Sequence, residues 1–175
     1  LQLEKARKLD IEEDVYYKII KGKTASLIAA ACAAGAASVT DDESVIEKMR
    51  LFGEKIGISF QIRDDLFDYG TDDVGKPLGI DIKEKKMTLP LIYALSKADN
   101  RTRSKIIRLV KRNNGDKNKI NQVIEFVISS GGLDYAKKEM LRFRQDAFDI
   151  LSEFKDSESK EALVELVNYI VERKK

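Results

Sequence analysis

The chain has 175 residues, 43% of them hydrophobic, which suits one soluble domain with a substantial core. Its 32 basic and 30 acidic residues nearly cancel, so no global field favours nucleic acid or an anionic membrane, and function must come from local charge arrangement. Cys32 has no second cysteine and no histidine in the chain with which to form a zinc site or a catalytic dyad. It reads as a buried, inert thiol in a reducing compartment.

The start, LQLEKARKLD, is charged and amphipathic, without a signal-peptide core or an initiator methionine, and reads as the beginning of a fragment or a processed chain. Only Pro77 and Pro90 interrupt the sequence and β-branched alternation is absent, which predicts an almost entirely helical protein. A helix over residues 23–39 follows Gly22. Its longest apolar stretch, Leu27 to Val39, is dominated by alanine and too short to span a bilayer, so no membrane span is expected. Asp41 or Asp42 caps the next helix, whose Val45, Ile46, Met49, Phe52, Ile56 and Phe60 form one buried stripe running into Asp68. Gly70, Gly75, Pro77 and Gly79 then mark an irregular, charged connection of about fifteen residues, long enough to be a functional loop. Thr88 and Pro90 signal a helix start, and helices follow over residues 89–98, 102–113, 118–130, 133–154 and 157–173, with NNGD and SSGG as separators. Without a repeat or a heptad seam, the expectation is an all-α antiparallel bundle, one helical domain over residues 1–175.

Three segments have the residue types for chemistry. In FQIRDDLFDYG, Gln61, Asp64 and Asp68 fall on one helical face, with Asp65 about 60° from Asp68. Like charges at this spacing cost a few tenths of a kcal/mol in a helix, and a cation would offset that repulsion. Hard carboxylate oxygens suit magnesium, which commonly keeps waters and bridges to substrate phosphates. A solvated acidic helix end is the alternative for an isolated DDxxD, and the EF-hand spacing with its closing glutamate is absent. Second, Gly22-Lys23-Thr24 sits at the predicted helix start, where free N–H groups and a lysine can meet an anion. It mimics the end of a P-loop, but Tyr17 stands where that motif needs glycine and no strand precedes it, so nucleotide binding is rejected. Third, GKPLGIDIKEKK crowds Lys76, Lys83, Lys85 and Lys86 into one loop. Lys83 and Lys85 suit a solvated face, whereas Lys76 between Gly75 and Pro77, and Lys86 at the next helix entrance, are better placed to touch a ligand.

YYKIIKGKTASLIAAA, FQIRDDLFDYG and GKPLGIDIKEKKMTLPLIYAL, in that order, resemble the C-terminal signatures of trans-polyprenyl diphosphate synthases. The resemblance covers roughly Tyr16 to Leu95; the later helices are compatible with it but carry little diagnostic sequence. It implies the isoprenoid synthase fold, here incomplete at its N-terminal side, in a cytoplasmic enzyme that is a homodimer when complete. It implies that Lys23, Thr24, Lys76 and Lys86 contact an allylic prenyl diphosphate, with Gln61 nearby, and that Asp64, Asp65 and Asp68 hold Mg2+ bridging to it. The implied reaction ionises the allylic diphosphate, adds the double bond of isopentenyl diphosphate to the carbocation and loses a proton. Magnesium and lysines would offset the charge growing on the departing diphosphate.

The resemblance is partial. The family's other aspartate-rich motif and its isopentenyl diphosphate site have no counterpart before Gly22, and Asp41-Asp42 lies in the wrong order to serve, so the chain alone is expected to be inactive. A noncatalytic subunit modulating a partner synthase is the alternative function. A terpene cyclase on the same scaffold is disfavoured by the lysine-rich loop. Product length is not legible, because in this family it depends largely on bulky residues around the first motif.

Overall fold

The computed structural model describes residues 12–70 and 78–172, and these are helical with no strand among them. The helices are α1 (Glu13–Ile20), continued through a π-helical turn (Lys21–Ala25) into α2 (Ser26–Ala37), then α3 (Glu43–Phe67), α4 (Ile80–Lys83), α5 (Leu89–Lys97), α6 (Asn100–Lys111), α7 (Lys117–Ser129), α8 (Gly132–Ser152) and α9 (Glu158–Glu172). The last five agree with the predicted spans to within two residues at each end. Their starts are chemically marked. Asp99 caps α6 by accepting from the N–H groups of Arg101 and Thr102, and Asp116 does the same for Asn118 and Lys119 of α7. For α3 the capping residue is Asp42, whose Oδ1 accepts from the Ser44 N–H at 2.9 Å.

Two expectations need correction. The chain does not begin a helix at Gly22. Residues 13–37 are helical throughout, and Gly22 lies inside the π turn, so the N–H groups there face earlier carbonyls, as when Ser26 N–H donates to the Lys21 carbonyl. A π turn accommodates one extra residue without ending the helix, and a glycine within it leaves no signal distinct from a helix start. Because the two segments join, Glu13–Ala37 forms a 25-residue helix that is, by length and composition alone, long and apolar enough to cross a membrane. The expected loop after Gly70 also contains the single helical turn α4, while residues 71–77, and with them Lys76, lie outside the described residues.

The chain forms two compact units, residues 1–16 with 64–137, and residues 17–63 with 138–175. In the first, α4 to α7 surround a core of Tyr69, Ile82, Leu91, Leu95, Val110, Val123 and Val127. Buried Asn113, just beyond α6, donates to the carbonyls of Ile82 and Val110 at 3.0 and 2.8 Å, tying the end of α6 to α4. In the second unit, Phe52 and Ile56 of α3 pack with Ala147 and Leu151 of α8 and Val167 of α9. Polar contacts flank that core: Ser59 donates to the Met140 carbonyl at 3.1 Å, and Lys55 pairs with Asp146 at 2.9 Å.

The seam between α2 and α3 in the second unit is built from the smallest residues. A Cβ on Gly53 would lie 2.7 Å from the Ile28 carbonyl oxygen and 2.8 Å from the Ala29 Cα, and one on Gly57 would lie 2.8 Å from the Ala25 Cβ. Backbones therefore touch directly, and this seats the π turn that carries Lys23 and Thr24. Overpacking such a contact costs roughly 1–3 kcal/mol. Gly57→Val should accordingly lower the stability to urea by about 2 kcal/mol or more, whereas Gly35→Ala, where a Cβ meets nothing within 4 Å, should leave the midpoint unchanged or raised.

Candidate active site

The acidic motif closes α3, and its aspartates do different work. Asp65 Oδ2 accepts from the Tyr16 hydroxyl at 2.8 Å and from the Leu89 N–H at 3.0 Å. Leu89 opens α5, and its expected cap, Thr88, makes no side-chain capping bond; the Thr88 hydroxyl is instead 2.6 Å from the hydroxyl of buried Tyr69. Asp65 thus supplies, from 24 residues away, the acceptor that a helix start requires. Asp68 plays the equivalent part for α4: its Oδ2 accepts from the Asp81 N–H at 3.1 Å, and its own carbonyl accepts from Gly79 N–H at 3.0 Å. The residue at the cap position of α4 is Gly79, which has no side chain and holds a left-handed φ of 76°.

These contacts set the electrostatics. Enclosure of the carboxyl group raises the Asp65 pKa to about 7, with the neighbouring Asp81 and Asp64 charges adding to the rise and the bonds from Leu89 and Tyr16 opposing it. The residue as a whole keeps some exposure, but its carboxyl group is the enclosed part. Burial also raises Asp68, again with Asp81 contributing repulsion. Lys86 is the cation at this point of the unit. Its Nζ lies 3.0 Å from Asp81 Oδ1 and 2.8 Å from Glu84 Oε2, and its hydrogen bond to Glu84 is the largest cause holding it more firmly protonated. The chain reaches this arrangement through Lys85, a non-glycine residue at φ 59°.

Asp64, Asp65, Asp68 and Lys86 are therefore brought together in the first unit, with Asp81 and Tyr16 as members that the sequence analysis did not single out. Tyr16 belonged to a recognised motif, but a tyrosine that donates to an aspartate 49 residues on leaves no local signal. Lys23, Thr24 and Gln61 belong to the second unit. Lys23 is exposed and Thr24 half-buried in the π turn, with the Lys23 carbonyl accepting from the Ser26 hydroxyl at 3.0 Å. Gln61 is half-buried on α3, one helical turn beyond Gly57. Among the described residues, no three acidic, histidine or cysteine side chains converge as a ready metal cage.

Residues 1–127 match the polyprenyl synthetase family. The chain belongs to that family. It is 35% identical over 168 residues to the short chain isoprenyl diphosphate synthase of Methanothermobacter thermautotrophicus, covering 95% of this chain and 51% of that protein. Its structure resembles the geranylgeranyl pyrophosphate synthase from Bacteroides thetaiotaomicron, with a TM-score of 0.90 at 40% identity over 98% of this chain and 57% of the other. It also resembles a polyprenyl synthase from Caulobacter crescentus complexed with calcium and isoprenyl diphosphate, with a TM-score of 0.87 at 34% identity, covering 98% and 53% of the two chains. The all-α class and isoprenoid synthase fold expected from the three motifs are those of these structures. The chain spans about half the length of the curated relatives it matches.

The raised Asp65 carboxyl makes a testable contribution to stability. A group whose folded pKa of about 7 lies above its ordinary 3.8 stabilises the fold below that ordinary value and loses the contribution as pH rises through 7. With metal removed by chelation, Asp65→Asn, which keeps an acceptor for Tyr16 and Leu89, should match the parent near pH 4 and exceed it near pH 8 by on the order of 4 kcal/mol. Urea unfolding at the two pH values measures this, and an equal pH response in both proteins would show that Asp65 is not the group responsible.

Proposed function

We propose that this chain provides the second-aspartate-motif portion of a cytoplasmic, homodimeric trans-polyprenyl diphosphate synthase. The enzyme condenses isopentenyl diphosphate with an allylic prenyl diphosphate in the presence of Mg2+. The observation that carries the reading is the set of acidic side chains at the end of α3, held in place by hydrogen bonds to the starts of the two helices that follow it. Family membership supports the reaction class, and the calcium and isoprenyl diphosphate bound to the Caulobacter crescentus relative support a divalent cation and a diphosphate as the ligands.

The donor set fits magnesium by its chemistry. Carboxylate oxygens are hard donors, and the Asp64 and Asp81 charges repel Asp65, whose own charge burial already disfavours. Mg2+ is usually held by one or two carboxylates, with waters and substrate phosphate oxygens completing its shell. Asp64, and Asp65 and Asp68 through their remaining oxygens, are the proposed protein ligands. Asp65 and Asp68, whose Oδ2 atoms bind backbone N–H groups, orient the end of α3 and supply negative potential. When bound, the cation neutralises charge on the leaving diphosphate.

The protein's own residues do the rest. Lys86, kept protonated beside Asp81 and Glu84, can exchange those partners for diphosphate oxygens at little conformational cost, since its side chain is 59% exposed. Lys23, Thr24 and Lys76 are assigned to diphosphate binding by their place in the family motifs, and Gln61 by its place in the acidic motif. Fixed cations directed at a charge that grows during ionisation stabilise the transition state more than the ground state.

Isothermal titration of a nonhydrolysable allylic diphosphate analogue into the 175-residue chain tests this. Binding should require Mg2+; Asp64→Ala should weaken it about 100-fold and Lys86→Ala about 10-fold, in line with the loss of a charge-assisted contact. Binding of equal strength with chelator, or through Asp64→Ala, would refute the assignment. A modulatory subunit predicts instead partner binding that is insensitive to substitution at Lys23 and Asp64.

A further inference from the structure

The cations of this nearly neutral chain are concentrated on α6 and the turn after it. Residues 100–119 contain eight lysines and arginines against one aspartate, a local net charge of +7 in a chain whose total is +2. Arg101, Lys105, Arg108 and Arg112 recur at intervals of four, three and four residues, and so line one ridge about 16 Å long, with Lys111 alongside. All five are exposed. The orientation is fixed by the opposite face, where Ile106 and Val110 are buried at 5% and 1% exposure in the core of the first unit. Several cations elsewhere are paired, as Arg50 is with Glu47, Lys55 with Asp146 and Lys160 with Asp156. None of the five has an ion-pair partner among the described residues.

Helix stability does not account for the ridge. Lys111 and Arg112 at the C-terminal end suit the helix dipole, but Arg101 and Lys105 lie towards the N-terminal end, where cations are unfavourable, and like charges four apart repel. The arrangement suits an external polyanion. No aromatic residue occurs between residues 100 and 119, so the ridge lacks the stacking groups that single-stranded nucleic acid readers use. A row of unpaired cations on an amphipathic helix is a form that binds an anionic bilayer surface.

We propose that the α6 ridge docks this protein peripherally on anionic lipid. The choice of a bilayer over other polyanions rests on the prenyl-transfer reading, because a diphosphate carrying a prenyl chain is amphiphilic and leaves the enzyme most readily into lipid. Each cation near an anionic surface contributes roughly fivefold in partitioning.

Co-sedimentation of the 175-residue chain with vesicles tests the proposal, without metal or diphosphate present. The chain should sediment with phosphatidylcholine vesicles containing one-third phosphatidylglycerol at low salt, release as salt rises, and stay in solution with pure phosphatidylcholine. Lys105→Glu/Arg108→Glu should lower binding at least 30-fold, while Lys137→Glu/Lys138→Glu, the same charge change on exposed residues of α8, should lower it less than threefold. Circular dichroism melts establish folding, and Lys105→Gln/Arg108→Gln gives a milder variant should reversal unfold the chain. Equal losses in the two double variants, binding to pure phosphatidylcholine, or no binding to the anionic vesicles would overturn the proposal. So would binding only to polyuridylate, or salt-sensitive self-association abolished by the α6 variant, which would assign the ridge to RNA or to a second copy. Asp64→Ala should bind vesicles like the parent, so failure here leaves the prenyl-transfer reading standing, and the reverse holds.

Discussion

A helix begins with backbone N–H groups that have no partner within it, and in the first unit two such beginnings are completed by aspartates from the end of α3. Asp68 satisfies the start of α4 and Asp65 that of α5. The acidic motif is therefore structural before it is chemical. Removing either carboxylate would leave helix-start donors without their acceptor as well as altering the local field, so a loss of activity on mutating these two positions would not by itself identify a metal ligand.

The same bonds explain how negative charge can be concentrated near an apolar core. Ionised Asp65 is opposed by burial and by two neighbouring aspartates, and is supported by a backbone N–H and a tyrosine hydroxyl. Lys86 neutralises Asp81 and Glu84 at the edge of the cluster. The balance is incomplete, as the raised Asp65 and Asp68 show, and a divalent cation would complete it. The hydrogen bonds fix the carboxylates in place independently of any cation, and preorganisation of this kind is the condition for strong electrostatic stabilisation.

Local sequence was sufficient where structure is made locally. Asp99 and Asp116 cap the helices they precede, and the spacing of apolar residues in α5 to α9 placed each end within two residues. It failed where distant parts of the chain cooperate. Thr88 and Pro90 marked the start of α5 correctly, but the group that caps it comes from Asp65. Gly22 looked like a helix start because glycine is punctuation in most contexts, and only the continuous helix around it shows a π turn. Of the candidate site, the motif aspartates and Lys86 were legible by charge and spacing. Tyr16 and Asp81 were not, because their roles exist only once the ends of α1, α3 and α4 have met.

The chain has no tryptophan and six tyrosines. Three of those tyrosines donate their hydroxyls to carboxylates: Tyr16 to Asp65, Tyr17 to Glu139 and Tyr135 to Glu13. A phenol bonded to a carboxylate emits weakly, because the excited hydroxyl gives up its proton to the acceptor. The ultraviolet emission of this protein is therefore tied to the ionisation and occupancy of its acidic groups, with Tyr16 placed as a native optical reporter on the second aspartate of the motif.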